Sequence, residues 1–453
     1  MHNFKYLASF IVGLSFFLSC SSQKQTSNSF AITGITLIDV EQSKSRNNVT
    51  ILVEDGKIKS IFSRNDNIII DDGVEVLDMT GHYAIPGLID AHVHLHRPKN
   101  RNEILENLLY SGVTSVRDMA GDARVYQELN NLINQGELIG PKIYYSANFF
   151  GPKFLVDPRT KFTTAGLKPG QAPWSRVITD TTNLKQVITD AKQMGVTGIK
   201  VYSNIAPQLL IAISEESHLQ GLKVWSHSTI FPSRPRDAVK AKVDVISHSI
   251  GIITESAQTI PDNFNDAIKN FMPFQNFAEE NAYSEEFLSL FENMKANNTL
   301  FEPTLSAWNP SLRQQINNSI AKAENVNPTA HLEKATKNLD VEAMNEWAMR
   351  ITYAAYENGV LIVAGTDLTK SIKYVQDEIK FLTECGLSNM DALKAGTINN
   401  AKAIGIEKTH GSISVGKQAD LVILSENPLE DIENIRKVIS VYKNGKSYTG
   451  NNN

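Results

Sequence analysis

Six residues that are candidates for a site of metal chemistry follow short apolar runs of the sequence. They are His92, His94, Lys200, His227, His248 and Asp367. Imidazole and carboxylate groups are good ligands for borderline divalent metals such as Zn²⁺. Alternate residues of a β-strand face the same side, so His92 and His94 can direct their imidazoles to one point. These residue types indicate a metal site, provided that the fold brings them together.

Each of these residues also has a simpler interpretation. A His-x-His pair arises by chance, and His227 alone could be a structural histidine. Lys200 could mark the point where a strand reaches water, and Asp367 in Gly-Thr-Asp could begin a helix. The position of all six at the ends of apolar runs, in chain order, favours one site over unrelated structural roles.

Eight apolar runs between residues 86 and 404 predict parallel β-strands. Amphipathic patterns typical of helices, such as 184–194 and 208–220, lie between most of them. The predicted strands are 87–92, 113–118, 142–146, 198–202, 222–227, 243–248, 300–304 and 361–367. Eight strand–helix repeats indicate an α/β fold, a (β/α)8 TIM barrel. Such a barrel brings the C-terminal ends of its strands to one rim, where active sites lie, so the six residues would converge there.

Two insertions interrupt the repeats after the third and sixth predicted strands. Residues 149–182 are rich in Pro, Gly, Thr and Lys, and residues 251–298 have a largely helical pattern. Both leave from the rim that would hold the six residues. We therefore expect them to form walls or lids of a substrate site.

The two ends of the chain share a β-rich pattern. Short strand-like runs and turn signals fill residues 30–85 and return in residues 406–453. Two such ends around the barrel domain at 86–405 predict a small β-sandwich domain built from both termini.

The N-terminus predicts export. Residues 1–19 combine a basic end, an apolar stretch and small residues, as a signal peptide does. The sequence around Cys20 resembles a bacterial lipoprotein cleavage box, with residues 20–29 as a lipid-anchored tether; an ordinary cleaved signal or a short anchor is the alternative. The expected location is the cell envelope, on the periplasmic or cell-surface side of a membrane reached through the lipid anchor.

Composition narrows the classes of protein further. The 453 residues are 42% hydrophobic and 21% charged, which argues against global disorder. The net charge is -5 and no dense run of Lys and Arg stands out, so we expect no nucleic-acid partner. With only two cysteines, a disulfide framework is excluded.

The segment Pro86-Gly87-Leu88-Ile89-Asp90-Ala91-His92-Val93-His94-Leu95 resembles the opening motif of the amidohydrolase superfamily. The tail at 411–422 and the Val-Arg-Asp at 116–118 also fit, so the resemblance covers nearly the whole mature chain. It implies that His92, His94 and Asp367 bind one metal ion, and that His227 and His248 bind a second. It places Lys200 where many members carry a carboxylated lysine that bridges two Zn²⁺ ions or other divalent metals. An unmodified ammonium has no lone pair and cannot bind a metal.

Within that superfamily, Gly198-Ile199-Lys200-Val201-Tyr202 resembles the prolidase-like and imidazolonepropionase-related subgroup. Two segments depart from the subgroup pattern. Tyr202-Ser203-Asn204 stands where small residues and Gly are common, and Ser247-His248-Ser249 replaces the commoner Glu-His. Both departures leave the substrate open.

The resemblance implies a hydrolytic mechanism. Two metals would acidify a bridging water, and Asp367 would carry its proton to the leaving group. Tyr202 could bind substrate by donating to the tetrahedral oxyanion. Arg117 could hold a substrate carboxylate or form an internal pair with Asp118.

The expected substrate is a small molecule with an amide or peptide-like C–N bond: a dipeptide, cyclic amide or N-acyl compound. Cleavage of an ester, lactone or carbamate at the same site is one alternative. A non-catalytic binding lipoprotein of the cell surface is another, and a homo-oligomer is left open.

Overall fold

The computed structural model describes residues 29–63, 66, 70–71, 73–95, 100–164, 166–310, 340–367 and 375–449. The predicted signal peptide and Cys20 lie outside these residues. Within the described ranges, no helix combines the length and the apolar character that a membrane span requires.

The described residues contain strands of the barrel, strands of the chain ends and two short strands of the first insertion. The strands are β1 Phe30–Asp39, β2 Lys44–Glu54, β3 Lys57–Ser63, β4 Glu75–Asp78, β5 Tyr83–Pro86, β6 Leu88–Val93, β7 Val113–Asp118, β8 Lys142–Phe150, β9 Gln171–Ala172, β10 Ser175–Val177, β11 Gly198–Val201, β12 Lys223–His227, β13 Val245–Ser247, β14 Leu300–Glu302, β15 Leu421–Leu424, β16 Val438–Lys443 and β17 Lys446–Tyr448. The two strands of the first insertion, β9 and β10, extend the barrel sheet beside β8.

Helices follow most barrel strands and fill the second insertion. The α-helices are Arg101–Tyr110, Ala123–Gln135, Arg159–Phe162, Leu184–Gln193, Pro207–Leu219, Pro235–Lys240, Phe264–Asn270, Glu285–Asn297, Val341–Glu357, Val375–Glu384, Asn389–Ala395 and Ile398–Ile404. Short 3-10 helices cover Pro152–Val156, Ser249–Glu255, Met272–Phe274, Leu305–Ala307 and Ile432–Arg436.

The helix Ala123–Gln135 shows how sequence sets these elements. The Asp122 side chain accepts a hydrogen bond from the backbone N–H of Arg124 and so caps the first turn. Gly136 ends the helix in the left-handed conformation that glycine adopts without strain. Tyr126 and Leu129 on one face are buried against the barrel core.

The barrel consists of parallel strands in the order β6-β7-β8-β11-β12-β13-β14. The eighth predicted strand closes it with few ladder bonds: Val363 N–H donates to Phe301 O at 2.9 Å, and Ala91 N–H donates to Ala364 O at 3.0 Å. The predicted TIM barrel is confirmed. Its strands are buried on both faces, as parallel strands under helices are.

The chain ends form a second, mixed sheet in the order β17-β16-β15-β5-β1-β2-β3, with β4 beside β1. The two termini meet where β5 pairs antiparallel with β15, for example at Ile85 and Val422. Inward residues such as Ile32, Ile51 and Leu421 form a core separate from that of the barrel. The second domain is thus assembled from both ends, and hydrogen bonds join all its strands into one sheet.

Candidate metal centre

Three of the candidate ligands, all histidines, lie around the carboxylate of a fourth, Asp367, at the C-terminal rim of the barrel. His94 Nε2 lies 3.1 Å and His92 Nε2 lies 3.6 Å from Asp367 Oδ1. His248 Nδ1 lies 3.9 Å from Asp367 Oδ2. The His227 ring comes next, with its centroid 4.5 Å from that of His248. The barrel therefore brings together side chains that are far apart in the sequence.

Three of these residues hold ligand atoms at a spacing that one cation can bridge. His92, His248 and Asp367 each offer an atom, and the three atoms lie within 4.8 Å of one another. The set joins residues that the family resemblance assigns to two different ions. This is expected where two ions would lie only about 3.5–4 Å apart.

The backbone is left-handed at two of the candidate ligands. The φ angle is 76° at His248 and 53° at Asp367. Such a conformation costs a non-glycine residue about 1–3 kcal/mol and persists only where other bonds hold it. Here His248 N–H donates to Glu302 O, and Asp367 N–H donates to His92 O, both at 2.8 Å. Strained backbone of this kind is typical of functional sites.

The protonation states suit metal binding. Burial lowers the pKa of His248 to about 3. Burial, and then the charge of Lys200, lower the pKa of His227 well below its ordinary value. Although burial opposes it, His92 and His94 hold the pKa of Asp367 below its ordinary value. At neutral pH the imidazoles of His227 and His248 are therefore neutral and the Asp367 carboxylate is ionised, which are the forms that bind metals.

Glu302, at the end of β14, is a central residue that the sequence did not reveal as part of the site. Its carboxylate is fully buried and accepts from His92 Nδ1 at 2.8 Å, Arg117 Nη2 at 2.6 Å and Ser247 Oγ at 2.7 Å. Although burial opposes it, Arg117 and His92 hold the pKa of Glu302 well below its usual range. The sequence did offer one signal for Glu302: it lies near the C-terminal end of a predicted strand, as the other candidate site residues do.

The bond to Glu302 orients His92 as a ligand. A carboxylate accepts hydrogen bonds only, so the proton of neutral His92 must lie on Nδ1, which leaves the Nε2 lone pair towards Asp367. Among the described residues, the buried Nδ1 of His227 has no hydrogen-bond partner. A neutral imidazole nitrogen without a partner, next to the His248 ring that itself lies near the ionised Asp367, fits a divalent cation. The residues present therefore fit the metal that the resemblance implies.

Lys200 lies in the same buried network beneath the histidines. Its Nζ donates to Ser247 Oγ at 2.9 Å, and this hydroxyl in turn donates to Glu302. Burial lowers the pKa of Lys200 to about 7. A large fraction of the side chain is therefore the neutral amine near pH 7, which has the lone pair that an ammonium lacks.

Arg117 does not reach the substrate side of the rim. Its side chain is fully buried, Nε donates to Ala91 O at 2.6 Å, and the guanidinium stacks 4.5 Å from the centroid of the Trp225 ring. The interpretation as a holder of a substrate carboxylate is therefore wrong. An internal ion pair exists, but it joins Arg117 to Glu302 and not to Asp118.

Tyr202 lies beside the metal-binding residues, as its position two residues after Lys200 predicted. Its ring centroid is 4.1 Å from that of His227. Its hydroxyl accepts from Arg159 Nη1 at 3.0 Å. Phe154 stacks on the other side at 4.9 Å. The ring is thus fixed between the candidate ligands and the first insertion.

The two insertions meet at the residues that follow Tyr202. From the first insertion, Gly151 N–H donates to Ser203 O at 2.9 Å and Lys153 N–H donates to Asn204 Oδ1 at 2.9 Å. From the second, Phe264 N–H donates to Ser203 Oγ at 3.2 Å. A Cβ on Gly151 would lie only 1.7 Å from Asn204 O, so this contact needs glycine. The Tyr-Ser-Asn sequence, which departs from the subgroup pattern, is explained as the docking point of both insertions.

Comparison with known proteins identifies relatives of this barrel. The model of the amidohydrolase family matches residues 83–448. Imidazolonepropionase of Fusobacterium nucleatum is 22% identical over 437 residues, which cover 91% of this chain and 96% of that protein. Ochratoxinase of Aspergillus niger is 31% identical over 115 residues, a match that spans about a quarter (24%) of each chain.

Solved structures share the fold. The crystal structure of a Xaa-Pro dipeptidase with bound methionine superposes with a TM-score of 0.70 at 23% identity, and covers 93% of this chain and 100% of that one. The crystal structure of A. niger ochratoxinase gives 0.69 at 20% identity, over 94% and 96% of the two chains. At these identities the likeness concerns the barrel and its second domain.

Proposed function

The chain belongs to the amidohydrolase family, and from this premise we propose that it is a metal-dependent hydrolase of an amide or peptide-like C–N bond. The observation that carries the proposal is the convergence of His92, His94 and His248 on the ionised Asp367 at the barrel rim, with His227 packed against His248. We propose Zn²⁺ as the metal, two ions per chain, with another divalent cation as the alternative.

The chemistry divides between metal and protein. A bound metal supplies Lewis-acid activation of a water molecule and of the scissile carbonyl. Asp367, held ionised, accepts a proton from the attacking water and delivers it to the leaving nitrogen as the C–N bond breaks. The Tyr202 hydroxyl donates to the oxygen of the tetrahedral intermediate. Water thus adds its oxygen to the carbonyl carbon, and its proton leaves with the amine.

We propose further that Lys200 is carboxylated in the active protein. The neutral amine adds to CO₂, loses a proton and becomes a carbamate whose oxygens can bind metal. The burial of Lys200 and its pKa of about 7 support this step, because only the neutral amine reacts. Mass spectrometry of the native protein checks it, with a mass increase of one CO₂ that is absent from Lys200→Met.

The relatives suggest the class of substrate. Those named above are a Xaa-Pro dipeptidase, an imidazolonepropionase and an ochratoxinase. We propose a dipeptide, a cyclic amide or an N-acyl compound as substrate. Cleavage of an ester, lactone or carbamate is the second candidate, since the same groups would activate water against those carbonyls. A matched panel of amides and esters with the same acyl group separates the two.

Metal removal tests the proposal as a whole. Treatment with a chelator should abolish hydrolysis, and added Zn²⁺ should restore it. Metal analysis of the purified protein should give close to two ions per chain. Well under one ion per chain, together with no hydrolysis in the presence of Zn²⁺, would favour the non-catalytic binding protein instead.

The location remains a separate proposal. We propose that the protein is exported and anchored in the cell envelope through lipid on Cys20, which lies outside the described residues. Labelling of cells with a radioactive fatty acid should mark the wild-type protein and not Cys20→Ala. A labelled Cys20→Ala protein would contradict the anchor.

A further inference from the structure

Arg159 is a buried cation of the first insertion that lies against the catalytic rim and has no part in the mechanism above. Its side chain is 10% exposed and forms a bidentate ion pair with fully buried Asp157, with both N···O distances at 2.8 Å. Planar pairs of this kind hold a guanidinium in one orientation. The pair is thus built to direct the remaining N–H groups of Arg159.

One of those groups points to the Tyr202 hydroxyl. Arg159 Nη1 donates to Tyr202 Oη at 3.0 Å, so the oxygen is the acceptor in this bond. A guanidinium has no acceptor to offer in return, and the phenol hydrogen must therefore point elsewhere. The bond therefore fixes the Tyr202 hydroxyl oxygen as an acceptor and holds the phenol in one position.

Aromatic rings from both insertions enclose the guanidinium. Its Cζ lies 5.3 Å from the ring centroid of Phe154, 5.0 Å from that of Tyr202 and 5.0 Å from that of Phe264. Rings at these distances attract a cation and exclude water. The orientation of Tyr202 therefore depends on the wall that the two insertions form.

We propose that Arg159 is a positioning residue that, anchored by Asp157, fixes the Tyr202 ring and its hydroxyl over His227. This inference rests on the proposed function, since it assigns Arg159 to the same hydrolytic site. It predicts that Arg159 acts on catalysis only through Tyr202.

A double-mutant cycle on the metal-loaded full-length protein tests this dependence. Replacing Arg159 alone by a neutral residue would leave Asp157 buried without its partner, so the first variant is the pair Asp157→Asn/Arg159→Gln. The second is Arg159→Lys, which keeps the charge but loses the planar fork. We expect the pair to lower kcat about 10- to 100-fold and Arg159→Lys to retain more activity, with KM within about twofold in both.

In the Tyr202→Phe background the same changes should alter kcat by less than about twofold, because no hydroxyl is left to position. Metal content and the thermal unfolding midpoint report on structure. Equal fold-losses in both backgrounds would overturn the proposal. So would a rise in KM confined to carboxylate-bearing substrates, which would make Arg159 a direct substrate ligand, or a loss that follows metal content alone.

Binding of a tetrahedral analogue gives a second cycle that needs no turnover. The probe is an N-phosphonyl amino acid, and its Kd is measured by calorimetry. Tyr202→Phe and the Asp157→Asn/Arg159→Gln pair should each weaken binding about 10-fold, and their combination should weaken it no further. A protein that binds the probe but hydrolyses no amide would refute the proposed function while still measuring this coupling. A protein that does neither would overturn both.

Discussion

The barrel carries a cluster of buried charges at each end, and the two clusters are satisfied differently. At the rim, three imidazoles lie around Asp367, and the His227 ring packs against one of them, that of His248. At the base, against the terminal sheet, lie His410, Asp420 and Lys443, which we call the basal cluster. Burial lowers the pKa of Lys443 to about 8, which is close to the value of about 7 at Lys200. A shifted pKa therefore does not by itself distinguish a functional lysine from a structural one.

The difference lies in the partners. Lys443 Nζ donates to the backbone oxygen of Gly140 at 2.6 Å, and Asp420 Oδ1 accepts from Asn444 N–H at 2.7 Å. The bond to Gly140 ties the sheet to the barrel, and the bond between Asn444 and Asp420 lies within the terminal domain. At the rim the polar atoms face one another, His227 Nδ1 has no hydrogen-bond partner among the described residues, and the backbone is strained. Unmet bonding capacity and strain, more than buried charge, mark the rim as the place for a ligand.

Removal of the central carboxylate at each end of the barrel should show the difference between the rim and the basal cluster most clearly. Asp367→Asn should lower hydrolysis by about 10³-fold or more, because the proton acceptor and a metal ligand are lost together. The matched change Asp420→Asn should lower the unfolding midpoint and leave the rate per bound metal within about threefold. The measurements are kcat, metal content and thermal unfolding. A comparable loss of kcat in both variants, at equal metal content, would remove the distinction between the two ends.

Glu302→Gln tests whether the carboxylate beneath the rim acts on the metal. Gln has one acceptor oxygen where Glu302 uses two, for His92 and for Arg117, so the fixed His92 tautomer is lost or weakened and metal affinity should fall about 10- to 100-fold. Glu378, also fully buried, offers a matched control, because it accepts from the backbone N–H groups of Leu305 and Ser306 instead. Both variants should lower stability, but only Glu302→Gln should change affinity in a chelator competition. Equal affinities would show that Glu302 is purely structural.

Gly365→Ala probes how tightly the rim is packed around these groups. A Cβ there would lie 2.6 Å from His92 Cβ and 2.7 Å from Glu302 Oε1. The crowding should cost about 1–3 kcal/mol of unfolding free energy and displace His92. Gly73→Ala is the control, since nothing lies within 4 Å of its added Cβ. Denaturant unfolding of both variants gives the comparison, and a neutral Gly365→Ala would mean that the rim can relax.

The barrel could be predicted from the sequence because each of its strands and helices has its own apolar pattern over a short stretch of the chain. The second strand was predicted at its observed bounds, Val113–Asp118. The sixth was predicted three residues too long, because His248 leaves the strand in a left-handed conformation and residues 243–244 precede the ladder. The eighth, 361–367, makes only one isolated bridge, at Ile362. The sequence pattern of a strand shows only where apolar residues recur. It does not show where a residue such as His248 takes a left-handed conformation and ends the strand.

The parts of the site that the sequence did not predict are contacts between side chains far apart along the chain. Glu302 meets His92 and Arg117 across 210 and 185 residues of sequence. Arg159 meets Tyr202 across 43 residues, from an insertion without a strand pattern to place it. The convergence of the candidate ligands could be predicted because a barrel places every strand end on one rim. The residues that orient them depend on side-chain packing, which spacing along one sequence does not encode.

The smallest expected effect is on the pH dependence of stability, and it concerns Lys443 of the basal cluster. The pKa of Lys443 in the folded protein is about 8, below the ordinary value of 10.5. Burial is the main cause of this lowering; among the neighbours, Asp420 raises the pKa and Lys142 lowers it. Between these two pH values the unfolded chain binds the proton and the folded protein does not. The unfolding free energy contributed by this group therefore rises with pH across that window and is lowest below pH 8.

The substitution Lys443→Met removes this titration. The stability of the wild type relative to Lys443→Met should therefore increase by on the order of 1 kcal/mol between pH 7.5 and about pH 10. Urea unfolding of both proteins at the two pH values measures it. Metal affinity at pH 7.5 should be the same in both, because the group lies at the opposite end of the barrel from the candidate ligands. A pH-independent difference would mean that Lys443 is already neutral or remains charged throughout, and that its bond to Gly140 alone accounts for its contribution.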